Sequence, residues 1–127
     1  LNIPFLSSIA LVMLAVAAWS GWLLELNHRR PAFMRRIGIT QIRPVLQMHI
    51  DFILTSVTII AVDFVVSDRP GWITGLLAYG AVINPLLFLP LAFEGRGLNS
   101  VPRQAAMFSS FGALSIDFTA LAIYALA

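Results

Sequence analysis

Four apolar runs separated by three short polar stretches make up the 127 residues of the chain. At 1.5 Å of rise per residue, a helix needs about 20 apolar residues to cross the hydrocarbon of a bilayer. The runs at about 4–26, 44–66, 72–92 and 104–126 all reach that length. This pattern predicts an all-α integral membrane four-helix bundle forming a single domain over residues 1–127. Pro4 and Pro44 suit first helical turns, Ser67-Asp68-Arg69-Pro70-Gly71 stops the second run, and Pro85 and Pro90 predict a bend in the third. Gly71 and Gly75 have the spacing of a close helix–helix contact. The first run is longer than a signal-peptide core and lacks a basic segment ahead of it, so it is expected to be a span.

Composition agrees. Hydrophobic residues make up 59% of the chain and charged residues 11%, with a mean hydropathy of +0.88, which is outside the range of soluble domains. Cysteine is absent, which excludes disulfides, thiolate haem ligation, iron–sulfur clusters and cysteine nucleophiles. All eight basic residues are arginines, five of them in the loop 27–43, one in the second loop and two in the third. By the positive-inside rule, loop 27–43 is cytoplasmic and both termini lie outside, as in a bacterial inner-membrane protein. The net charge of +2 therefore reports topology, and no nucleic-acid partner is expected. Phe33, Met34 and Ile37 among the arginines suit a loop lying on an anionic lipid surface.

Ionisable groups inside an apolar span are costly, so each needs a partner or a function. The second span carries His49, Asp51 and Asp63, the third Asn84, and the fourth Asp117. His49 and Asp51 lie roughly 8 to 10 Å from the cytoplasmic end of their span and Asn84 about 12 Å from the end of its own. These three share a depth, with Glu25 just below them in a surface role. At about 100° per residue, His49, Ser56 and Asp63 form one stripe, while Asp51, Thr55 and Thr58 form nearly the opposite one. A helix polar on two sides can turn one stripe to its own bundle and the other to a neighbouring copy, so a homo-oligomer is expected. Ser110, Asp117 and Tyr124 form a stripe fit to meet Asp63, where two neutral carboxyl groups could share a hydrogen bond. No nucleophile motif, phosphate loop or zinc signature is present, but one buried imidazole suffices as an axial haem ligand.

The four short spans, His49-Ile50-Asp51 entering the second span after a basic loop, and Asn84 midway along the third together resemble the small membrane isomerases typified by styrene oxide isomerase and hydroxylaminobenzene mutase. That resemblance implies a homotrimer in which His49 binds haem b at the subunit boundary. The ferric iron would act as a Lewis acid in an epoxide-type rearrangement of a small hydrophobic oxygenated substrate drawn from the bilayer. Asn84 would orient the substrate oxygen, and Asp51 would fix the imidazole or the neighbouring helix. Thr55 and Phe88 differ from the asparagine and tyrosine of the epoxide isomerase, whereas His49-Ile50-Asp51 is closer to the His-x-acid arrangement of the mutase-like members. Two other readings stand beside it. One is a non-enzymatic membrane subunit; the other is a small proton-coupled carrier using Asp63 and Asp117.

Overall fold

The computed structural model describes residues 2–93 and 100–127, and within them the ordered elements are helical. Helix α1 spans Phe5–Arg29, α2 Pro31–Arg36, α3 Ile42–Val65, α4 Gly71–Leu86 and α5 Val101–Leu126, with a 3₁₀ turn at Pro90–Ala92. Four stretches, Phe5–Arg29, Ile42–Val65, Gly71–Ala92 and Val101–Leu126, are long and apolar enough to cross a membrane. Residues 94–99 of the third polar stretch, Arg96 among them, lie outside the described residues.

The elements begin and end where local chemistry dictates. Pro4 precedes α1 and accepts from the Ser8 amide through its carbonyl at 2.9 Å. Ser100 caps α5, its hydroxyl accepting from the Arg103 amide. The third span is less regular than a continuous helix over 72–92: α4 ends at Leu86, and from Leu87 onward the amides reach carbonyls three residues back. The cause is Pro90, which has no N–H and whose ring would crowd the Leu86 carbonyl one turn earlier. Asn84 consequently sits in the last turn of α4.

The basic loop is also more ordered than a surface tether. Helix α1 continues to Arg29, and Pro31 then starts α2. Gly38 turns the chain at φ +97°, a conformation that favours glycine. The amides of Thr40 and Gln41 then donate to the Ala92 carbonyl at 2.9 and 3.1 Å. This clasp ties the arginine-rich loop to the end of the third span. Met34, wholly buried, packs there with Ile39, Val45 and Ala92.

In the plane of the membrane the helices follow one another: α1 packs along α3, α3 touches α4, and α4 packs along α5. The main core runs through Leu6, Ala10, Met13 and Ala17 of α1, Met48, Phe52 and Ile59 of α3, and Ile73, Leu77 and Ala81 of α4. Between 22 and 28% of each spanning window is buried inside the chain, leaving broad apolar faces outward. Trp19 and Trp22 are exposed towards the arginine-rich end and Trp72 at the opposite one, where interfacial aromatics belong. The close α4–α5 approach falls at Gly80 rather than at the predicted glycine pair: a Cβ on Gly80 would sit 2.6 Å from the Leu114 Cγ, whereas Gly71 and Gly75 have nothing within 4 Å.

Candidate functional site

Two polar layers result, one towards each end of the bundle. In the layer towards the arginine-rich end, α3 turns His49 towards α1. Its Nδ1 lies 2.8 Å from the Ala17 carbonyl and 3.0 Å from the Ser20 hydroxyl. Ser20 gives its own proton to the Ala17 carbonyl at 2.8 Å, so the proton between His49 and these two oxygens belongs to Nδ1. That assignment makes the imidazole the Nδ1–H tautomer and leaves the Nε2 lone pair without a hydrogen-bond partner among the described residues. The ring lies across Gly21, where a Cβ would be 3.2 Å from Cε1. Ala17 and Gly21, four residues apart, form the notch that admits it.

Asp51, two residues further along α3, points the other way. Its Oδ2 accepts from the Asn84 Nδ2 at 3.3 Å, bridging α3 and α4. Asn84 Oδ1 is buried and has no hydrogen-bond partner among the described residues. The pair lines a cavity of about 300 Å³ with Gln47, Ile50, Leu54, Phe88 and Phe111. A smaller space of about 90 Å³ shares Asn84, Phe88 and Phe111 and is bordered by Arg103. Of the candidates at this depth, the structure therefore joins Asp51 to Asn84 and separates both from His49. Glu25 pairs with Arg29 one turn away on the exposed end of α1.

At the opposite end Asp63 is almost fully buried, yet its partner is not Asp117. Its Oδ2 accepts from the Ser7 amide at 2.9 Å and the Ser7 hydroxyl at 2.6 Å, while Oδ1 pairs with the Arg69 guanidinium. Asp63 thus caps the start of α1 from another helix, satisfying an amide left open by the first turn. Arg69 also donates to the Val66 carbonyl at 2.7 Å and the Thr74 hydroxyl at 3.1 Å, closing the end of α3. Asp117 is fully buried, and neither of its oxygens has a hydrogen-bond partner among the described residues. The expected carboxyl–carboxyl hydrogen bond is therefore replaced by an ion pair, because Arg69 folds back over the end of α3 and takes the acid first. Tyr79 and Ser109 join α4 to α5 by a hydroxyl pair at 2.6 Å.

Ser7, Ser20 and Arg69 escape a reading by span and depth. Arg69 counts there only as a loop charge, although it lies six residues from Asp63. The small residues Ala17, Ser20 and Gly21 are the one visible signal of a notch facing His49. No group of three or more His, Cys, Asp or Glu side chains able to hold a metal ion occurs among the described residues. No protein-family model, curated protein or solved structure matches the chain.

Proposed function

We propose that the chain is a membrane-embedded, haem-dependent isomerase acting on a small hydrophobic oxygenated compound, with His49 as the axial ligand. The observation that supports it is the state of the imidazole. Nδ1–H is held by the Ala17 carbonyl and Ser20, which presents Nε2 as a lone-pair donor of fixed orientation. This is the arrangement by which ligating histidines are set in place. The residues present therefore fit one axial position. Haem bound there would supply a Lewis-acidic iron for a substrate oxygen.

The chain's own groups have separable roles in this reading. Ala17 and Ser20 fix the tautomer, and Gly21 provides clearance for the ring. Asp51 and Asn84 lie across α3 from the imidazole, so those attending a substrate at one His49 would come from a neighbouring copy. A homotrimer is the form of that assembly proposed here. The Asn84 amide keeps a second N–H beyond the one given to Asp51, and that N–H would orient the substrate oxygen.

The test is the absorption spectrum of the purified protein expressed with haem supplied, beside His49→Ala and Ser20→Ala. A Soret band in the parent, lost in His49→Ala and weakened or shifted in Ser20→Ala, is expected. No Soret band in the parent would overturn the reading.

One observation favours a second reading, a non-enzymatic membrane subunit. His49 also clips α3 to α1, and the outward apolar faces are wide enough for partner helices. In that case no cofactor binds and His49→Ala weakens assembly alone.

A further inference from the structure

The Asp51–Asn84 cavity is built differently from a packing contact. The Asp51 carboxylate, at membrane depth, accepts from the Asn84 amide at 3.3 Å and has the Thr55 hydroxyl of its own helix beside it, and the Asn84 Oδ1 is buried with no donor among the described residues. Around them stand Gln47, Ile50, Leu54, Phe88 and Phe111, lining an open groove of about 300 Å³. Gln47 is the other polar residue of the lining, the remaining walls are apolar, and the Asn84 Oδ1 is an acceptor left without a donor among the described residues.

We propose that this cavity binds a hydrophobic primary amine in its ammonium form. An ammonium brings three donors and a positive charge, which answer the Asp51 carboxylate and the Asn84 oxygen together. Phe88 and Phe111 offer ring faces to the cation or to an aromatic body. A metal ion is a poorer match, since one carboxylate and one amide fall short of the six or more oxygens that calcium or magnesium requires. Arg103 borders only the smaller space and Asp51 only the larger, so the ammonium end is directed to Asp51 and the body extends past Phe88 and Phe111. Leu54 and Phe111 are exposed on the outer surface of the chain, which gives an amine dissolved in the bilayer a route in. The site needs no iron and lies on the face of α3 away from His49.

The experiment is calorimetric titration of the full chain in nanodiscs with 2-phenylethylamine, and with 2-phenylethanol as the neutral isostere. Both are repeated on Asp51→Asn, Leu54→Trp and His49→Ala. Asp51→Asn keeps an acceptor for Asn84, so the helix contact survives while the charge is lost. Leu54→Trp crowds the groove from its exposed wall, one helical turn from the acid. The amine is expected to bind the parent about tenfold or more tightly than the alcohol, the worth of a charged hydrogen bond. That preference should disappear in Asp51→Asn, weaken in Leu54→Trp and persist in His49→Ala. Equal binding of amine and alcohol, or a preference that survives Asp51→Asn, would overturn the proposal. Loss of amine binding in His49→Ala would also overturn it, by placing the amine on a haem iron instead, which would leave the isomerase reading standing.

Discussion

Arg69→Met removes the cation facing Asp63 from a site where both side chains are only 6% exposed. Stranding one member of a buried ion pair costs about 3–5 kcal/mol. Asp63 would keep the Ser7 amide and hydroxyl, which favours the lower end. The loss of the bonds to Val66 and Thr74 adds about 1 kcal/mol each. The expected total is about 5 kcal/mol, on the order of several thousandfold in the folding equilibrium. Asp63→Asn is a gentler change in shape, since its amide oxygen can still accept from Ser7, but it takes from the buried guanidinium its hydrogen-bonded carboxylate, leaving only Asp117 nearby, and should cost about 3 kcal/mol. In the double variant no stranded charge remains, so its cost should fall short of the sum of the two by about 2 kcal/mol or more. Reversible unfolding in mixed detergent micelles, carried out on all four proteins, measures that coupling. Additivity within about 0.5 kcal/mol would refute the claim that the pair acts as a unit. So would single variants costing less than about 1 kcal/mol.

Two further outcomes are expected. Gly80→Ala places a Cβ 2.6 Å from the Leu114 Cγ and 3.1 Å from the Ser110 carbonyl, so α4 and α5 must part, at a cost of about 1–3 kcal/mol read as a lower melting temperature. The same change at Gly75, which has nothing within 4 Å, should leave the melt unmoved. Asp117→Asn should lower stability far less than Asp63→Asn, because among the described residues neither carboxyl oxygen has a hydrogen bond to lose and only Arg69 acts on it through space; a drop in melting temperature matching that of Asp63→Asn would refute this.

The spans are legible in the sequence because length and hydropathy are summed over many residues, and an error at one position hardly matters. The interruption after Leu86 is legible too, since Pro90 acts through its own ring. Equal depth brings Asp51 and Asn84 together correctly. What depth cannot give is direction. His49 and Asp51 are two residues apart, which on a helix is a turn of about 200°, so sharing a layer places them on opposite sides. Whether α1 or a second copy receives His49 depends on the order of helices in the membrane plane, and that order is a property of packing rather than of any one span. Arg69 is hidden for a related reason. Lying beyond the end of α3, it has no helical face to read, and only the backbone path returns it to Asp63.

The Asp63 cluster also bears on how the protein is made. Ser7, Asp63, Val66 and Arg69 all precede α4, and only Thr74 is supplied by the later chain. As the polypeptide emerges, the first two spans therefore carry the counter-charge and donors for their own most buried acid. The early hairpin can leave the insertion machinery for lipid with this acid already paired, while Asp51 waits for Asn84 of α4. The arginine-rich loop is in a different position: its clasp on the Ala92 carbonyl cannot close until the third span has been delivered. Biogenesis is thereby divided into an Asp63 cluster that closes early and a collar that locks late.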